Sequence, residues 1–297
     1  MTILIFNLSG GFTDMKKNLI AITLFTKEHN YKFTIKNCTA RPQMLDLNKT
    51  KIEEEIIKNG YMYDVKNLFD EKTFFVYDNY ISFETIKDMC ENTFDFNATH
   101  NPSLIFKDRS HLTNYKNKIK EMDKPYIYMG NHFYFYSGYN ITTILYSKEF
   151  NATIIPSSKI WNEYNNFIST IDFQYNFIHF RYENDMKKML SVLKNIKSID
   201  YTLSDVMKRN AFENNQLKTY VATTDIEDFY DKKLLENPLD TYNIFYNKNK
   251  CDFFDENAFV DFLIGMNAVE VLGFSHSGFS VSLNKLKNKN KYYNLLC

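Results

Sequence analysis

Short β-branched runs separated from stretches of helical period set the rhythm of this chain. Thr2 to Leu8 is apolar, and Ser9, Gly10 and Gly11 interrupt it. From Asp14 to Phe25 the residues Met15, Leu19, Ile20, Ala21, Ile22 and Leu24 fall where a buried helix face needs them. The pattern predicts a strand, a glycine turn and a helix. Tyr31 to Ile35 predicts a second strand, Ile52 to Asn59 an acidic helix, and Pro125 to Tyr136 a strand rich in Tyr and Phe. Ile141 to Tyr146 suits helix or strand equally, and the mixed stretch up to about His100 predicts no definite element.

The pattern weakens at Pro156, Ser157 and Ser158, before a helical stretch from Ile160 to Ile168. A domain junction is expected there, with residues 1–158 forming one α/β domain and residues 159–297 a second. Beyond it, strands are predicted at Tyr175 to Phe180, Thr219 to Thr223, Tyr242 to Tyr246 and Val269 to Phe274. Helices are predicted at Asp185 to Ile196, Ser204 to Asn210, Ile226 to Leu235, Glu256 to Met266 and Phe279 to Leu286. Strands alternating with helices imply a parallel sheet with right-handed crossovers.

The length, 297 residues, accommodates two such domains, and a hydrophobic fraction of 44% supplies their cores. Thirty-six basic residues balance thirty-six acidic ones, for a formal net charge of +0. A generalised electrostatic grip on nucleic acid or on an anionic membrane is therefore not expected, and an anionic ligand needs a local site. The bias toward Asn, Lys, Ile, Tyr and Phe is that of AT-rich coding sequence, so the lysines from Lys285 to Lys291 read as a solvated face. The Asn-x-Ser/Thr sequons at Asn7, Asn37, Asn48, Asn97, Asn140 and Asn151 are what so Asn-rich a chain supplies by chance. Cys38, Cys90, Cys251 and Cys297 form no Cys-x-x-Cys pair and are expected as free thiols. Ile3 to Leu8 is too short for a signal-peptide core, and no apolar run approaches the roughly 20 residues of a membrane helix. The expectation is a cytoplasmic protein with no membrane span.

Ligands of parallel α/β sheets sit beyond the carboxyl ends of the strands. His179 and Arg181 end one strand and point to the same side, where a guanidinium can bind a diphosphate. Alternatively, Arg181 pairs with Glu183 or Asp185 on the surface. Ser275 to Ser280, with Ser277, Gly278 and Phe279 between, follow an apolar strand and open a helix, which suits either an anion cradle or a simple N-cap. Asp225 can accept hydrogen bonds from guanine or cap a helix. Gly10 and Gly11 permit close approach of backbone to a ligand, and Asp14 is an N-cap or a general base. No GxGxxG, GKS/GKT, GxSxG or HExxH motif occurs, the histidines are scattered, and Asp225 with Glu227 makes an Asp-x-Glu rather than Asp-x-Asp. Dehydrogenases, P-loop NTPases, α/β-hydrolases and metal-dependent transferases are disfavoured accordingly.

Taken together, four blocks resemble the protein O-fucosyltransferase family, including its plant branch, and more distantly the α1,6- and α1,2-fucosyltransferases. FIHFRYENDMKKMLS from Phe177 to Ser191 looks like the plant-type HLRxExDM pattern, whose arginine contacts the nucleotide diphosphate; by position this is Arg181, with His179 beside it. GGFTDMK from Gly10 to Lys16 is similar to the family's GGxNQxR loop, except that Thr13 and Asp14 replace its amides and Lys16 stands where some members have Arg. TYVATTDIEDF from Thr219 to Phe229 resembles the strand ending in ATD whose acid reads guanine, matching Asp225, or Thr224 in the other alignment. Asn257 to Ser280 resembles the segment ending in SSFS: Asp261 matches the family's aspartate, Ser277, Phe279 and Ser280 match, and Gly278 replaces a serine.

The blocks run in the family's order. The resemblance implies a GT-B fold, with two Rossmann-like domains whose parallel sheets face a central cleft, the acceptor bound by the first and GDP-fucose by the second. It also implies an inverting transfer of fucose to a hydroxyl of a protein or glycan, with no bound metal and no cofactor besides the GDP-sugar donor. Arg181 and Asp14 are the implied catalytic residues. Gly10, Gly11, His179, Asp225, Asp261, Ser277, Gly278, Phe279 and Ser280 are the implied donor-side residues. Two alternatives stay open: a GT-B transferase with another nucleotide sugar and, suggested by the altered loop at Thr13 and Asp14, a catalytically inactive descendant that binds a sugar or partner.

Overall fold

The structure is a computed structural model that describes residues 2–39, 62–92, 94–95, 109–130, 139–180, 203, 206, 212–223, 243–247, 251, 254–275, 277–288 and 292–293. The chain divides into two compact units, one of Met1–Asn162 with Asp252–Phe259 and one of Glu163–Cys251 with Val260–Cys297.

The first unit is built on a five-stranded sheet in the order β3-β2-β1-β5-β4. Its strands are β1 (Ile3–Leu8), β2 (Lys32–Thr39), β3 (Met62–Asp64), β4 (Phe94–Asp95) and β5 (Tyr126–Gly130). β1 pairs in parallel with β2 and β5, β4 joins β5 in parallel, and only β3 is antiparallel among the described strands. All six residues of β1 are buried, as expected of a central parallel strand covered on both faces. Helix α1 (Phe12–Glu28) follows β1 and buries Met15, Leu19, Ile20, Ala21, Ile22 and Phe25. Further along lies helix α2 (Arg109–Met122). An aromatic cluster adds to this unit's core, with Phe12 packed 4.3 Å from Phe259 and Phe69 5.8 Å from Phe259 between ring centroids.

The second unit carries another five-stranded sheet, β10-β9-β6-β7-β8, with every described pairing parallel. The strands are β6 (Tyr175–His179), β7 (Lys218–Ala222), β8 (Ile244–Phe245), β9 (Val271–Phe274) and β10 (Tyr292–Tyr293). Helix α3 (Ser158–Ile168), which passes from the first unit into the second after Asn162, precedes β6; helix α4 (Phe254–Asn267), which does so after Phe259, precedes β9; and helix α5 (Gly278–Leu286) follows β9. Phe177 in the central strand is fully buried and stacks on Tyr220 of β7 at 5.6 Å. Gly265 of α4 lies so near that a Cβ there would come within 3.2 Å of the Phe177 ring.

Most predicted elements are present, and the departures have local reasons. The second strand runs on to Thr39 because β3 pairs with its last residues, Asn37 to Thr39. Ile141 to Tyr146 resolves as a short helix, Thr142–Leu145. The stretch that predicted nothing holds β3, β4 and two single-turn helices, Lys72–Phe75 and Phe83–Ile86, elements too short to carry a period. The expected helices at Ile52 to Asn59, Asp185 to Ile196 and Ile226 to Leu235 lie outside the described residues, as does all of Ser204 to Asn210 except the helical Val206.

Candidate functional site

Parallel pairing brings the carboxyl ends of β9, β6 and β7 to one edge of the second sheet. His179 is in register with Ala222, and Ile178 with Leu272, so the segments that follow these strands leave from the same edge. This is the edge at which ligands of parallel sheets bind.

His179 ends β6, and its Nδ1 lies 2.7 Å from the hydroxyl of Ser280 in the first turn of α5. The same hydroxyl accepts a hydrogen bond from the Phe274 amide at 2.9 Å. The Phe279 ring sits 4.4 Å from the imidazole, centroid to centroid, and is backed edge-on by Phe262 at 5.5 Å. Helix α5 thus supplies both side chains that lie against the histidine, with β9 and Phe262 behind them. The close approach of α5 to β9 depends on Gly273, where a Cβ would fall 2.6 Å from that of Ser280 and 2.8 Å from Asn284 Nδ2.

Ser277 is the N-cap of α5 but its side chain caps nothing. It is 2% exposed, and its hydroxyl has no hydrogen-bond partner among the described residues. The amides of Gly278, Phe279 and Ser280 are the helix's first and have no acceptor within it. Thr223, directly after β7, likewise has a buried hydroxyl without a partner among the described residues. The reading from sequence passed over Thr223 for its neighbours Thr224 and Asp225; its place at a strand end was the available signal. Ser280, grouped from sequence with the other hydroxyls of the cradle, instead turns its oxygen inward to His179 and Phe274.

Asp261 stands in α4 with the Tyr220 hydroxyl donating to its Oδ1 at 2.6 Å. Burial pushes its carboxyl up to about 7, against the opposing pull of that hydrogen bond. Arg181, Thr224, Asp225 and His276 lie outside the described residues.

In the first unit, Gly10 adopts φ +85°, a left-handed conformation that favours glycine. A Cβ there would also meet the Asp14 Cβ at 2.8 Å. The loop is held further by Asn18, whose side chain donates to the Ser9 carbonyl at 2.9 Å. Gly11, not Asp14, is the N-cap of α1, which corrects one of the two roles read for the aspartate. Asp14 is the third helical residue, half exposed, with its carboxylate 2.8 Å from Lys17. Thr13 is buried.

Lys16 is an outcome that the sequence did not signal. It is 1% exposed, with its amine hydrogen-bonded to Asn151 Oδ1 and 5.3 Å from the Phe12 ring centroid. Burial pushes its pKa down from 10.5 to about 7. Lys16 and Asp261 thus carry opposite pH signatures. The raised aspartate contributes stability that is full below its unfolded value of 3.8 and lost as pH rises through about 7. The lowered lysine contributes stability that is full above 10.5 and lost as pH falls through about 7. Unfolding by denaturant across this range is expected to show both contributions at their lowest near neutrality. Asp261→Asn should flatten the acid limb and Lys16→Met the alkaline limb.

No protein-family model matches the chain, and no curated protein matches it in sequence. The similarity is in the fold. The chain superposes on POFUT1 in complex with GDP-fucose with a TM-score of 0.64 at 12% identity, covering 100% of this chain and 99% of that one. It superposes on NodZ α-1,6-fucosyltransferase soaked with GDP-fucose with a TM-score of 0.53 at 11% identity, covering 96% and 92% of the two chains. For the fucosyltransferase NodZ from Bradyrhizobium the values are 0.52, 10%, 95% and 92%. The architecture, two α/β units with parallel sheets, is the GT-B fold of these fucosyltransferases. Among the described residues, no helix is long and apolar enough to cross a membrane.

Proposed function

We propose that this chain is a glycosyltransferase that moves fucose from GDP-fucose to a hydroxyl of a protein or glycan acceptor, with inversion and without a bound metal. One observation carries the reading. The two strands flanking β6 are followed by buried hydroxyls, Thr223 and Ser277, that have no hydrogen-bond partner among the described residues, and Ser277 opens a helix. Burying such a group unpaired costs about 1–3 kcal/mol, and an anionic ligand at a helix start removes the cost while meeting the helix's own amides. The likeness of fold to proteins solved with GDP-fucose supports the same reading.

In this reading the Ser277 hydroxyl and the amides of Gly278 and Phe279 bind the diphosphate, and His179 lies beside it. Arg181, two residues beyond His179, balances the charge that grows on the diphosphate as the glycosidic bond breaks. Asp225 selects guanine, and Asp261 supports the pocket through Tyr220. On the acceptor side, Gly10 and Gly11 allow close approach of backbone, and Asp14 takes the proton of the attacking hydroxyl. Operation without a metal rests on the sequence, which has no Asp-x-Asp pair.

Calorimetric titration with GDP, GDP-fucose and UDP, in the presence and absence of EDTA, tests this. GDP is expected to bind more tightly than UDP, and EDTA to leave binding and turnover unchanged. Equal affinity for UDP would remove guanine selection and favour another nucleotide sugar. One observation favours the inactive descendant: Thr13, standing where the family pattern has an amide, is buried, and its hydroxyl has no hydrogen-bond partner among the described residues. GDP binding with no hydrolysis or transfer to any acceptor would decide for it.

A further inference from the structure

We propose that Ser280 is a positioning residue that holds His179 as the neutral tautomer protonated on Nε2, making the imidazole a hydrogen-bond donor to the sugar donor's diphosphate and not a base. The inference deepens the donor-site reading above and rests on it for the identity of the ligand. The coupling of Ser280 to His179 stands on geometry alone.

Ser280 is 0% exposed, and its hydroxyl makes two contacts, with the Phe274 amide at 2.9 Å and with His179 Nδ1 at 2.7 Å. An amide N–H can only donate, so one lone pair of the serine oxygen is occupied by Phe274. The serine has a single proton to place. Among the described residues Nδ1 is the acceptor its hydroxyl meets, and leaving a buried hydroxyl proton unused costs as much as a lost hydrogen bond. The proton therefore goes to the Nδ1 lone pair, and a neutral imidazole that accepts at Nδ1 carries its hydrogen on Nε2.

The surrounding groups fix the ring as well as the proton. Phe279 lies against the imidazole at 4.4 Å with planes 42° apart, and Phe262 holds Phe279 edge-on. Gly273 supplies the space, because a Cβ there would sit 3.0 Å from Ser280 Oγ and 2.6 Å from Ser280 Cβ. The arrangement gives an oriented neutral donor at the end of β6. With the opposite tautomer, an Nε2 lone pair would face the phosphate oxygens and repel them. An imidazole protonated on Nε2 also has no lone pair there to accept the proton of an attacking hydroxyl, so His179 in this state cannot act as a base.

The test is nitrogen NMR of the full chain labelled in histidine, at mildly alkaline pH where imidazole is neutral, with the His179 signals assigned by their loss in His179→Gln. The wild type is expected to show His179 protonated on Nε2, and Ser280→Ala to show a shift toward the other tautomer. Ser280→Ala should also weaken GDP binding about tenfold, the effect of one hydrogen bond to a charged group. His179→Gln, which keeps an N–H donor near the Nε2 position, should retain more GDP affinity than His179→Glu, which offers only acceptors. A His179 protonated on Nδ1 in the wild type overturns the proposal. So does a tautomer indifferent to Ser280→Ala. Should Ser280→Ala fail to fold, the wild-type tautomer and the Gln and Glu pair decide. If the wild type binds no GDP at all, the donor-site reading falls, while the tautomer measurement still judges the serine–histidine coupling.

Discussion

Arg181→Ala is expected to slow sugar transfer by about a hundred- to a thousandfold while leaving the fold intact. Preorganised positive charge at the position where an oxyanion develops is worth about 3–4 kcal/mol in the transition state and far less in the ground state. The loss should appear mainly in kcat, with GDP-fucose still bound through Ser277 and the α5 amides. Lysine at this position restores charge but not the paired geometry of a guanidinium, so Arg181→Lys should recover only part of the rate. Single-turnover transfer kinetics, with donor hydrolysis as a second readout, measure the effect. Transfer by the alanine variant at the wild-type rate would remove the arginine from its assigned role.

The second large effect is expected at a residue with no side chain. Gly273→Ala forces a methyl group to within 2.6 Å of the Ser280 Cβ, a distance that real contacts do not sustain. The obstructing atom is attached directly to the backbone of α5, so the helix itself has to move. Overpacking of this kind costs about 1–3 kcal/mol, and here it also pulls Ser280 away from His179 and the Phe274 amide. Denaturant unfolding should show a lowered midpoint, and GDP affinity should fall with it. Gly265→Ala is the control: its nearest obstruction, at 2.5 Å, is Leu283 Cδ2, the far end of a side chain that can rotate away. It should cost less stability and leave GDP binding unaffected.

Much of the fold was legible before any coordinates. Strand and helix periods differ enough that β1, α1, β6, β7, α4, β9 and α5 were all anticipated within a few residues of their observed bounds. Their alternation implied parallel sheets, and that is how the described strands of the second unit pair. The short motifs around Gly10, Arg181, Asp225 and Ser277 pointed to the GT-B fold, although overall identity to the superposed fucosyltransferases is only 10–12%. Short segments such as β3, β4 and Lys72–Phe75 were not legible, because two to four residues span little more than one period and so cannot show it repeating.

The candidate site divides along the same line. The order of residues along the chain was enough to indicate that His179, Ser277 and Ser280 would meet at one sheet edge, since strand ends and helix starts follow from local period and parallel pairing follows from alternation. Which hydroxyl turns inward and which is left without a partner was decided only by tertiary packing. Ser277 and Ser280 are the same residue type three positions apart, yet among the described residues the first hydroxyl has no partner and the second bridges His179 and Phe274. Lys16 stands four residues after Phe12 and four before Ile20, on the buried face of α1, yet its residue type predicts exposure. Its neighbour Lys17 is of the same type and pairs with Asp14 at the surface, while distant segments, Asn151 among them, pack around the Lys16 amine. Residue type and period are properties of the local sequence, whereas solvation and hydrogen-bond partners depend on what distant segments bring to a residue.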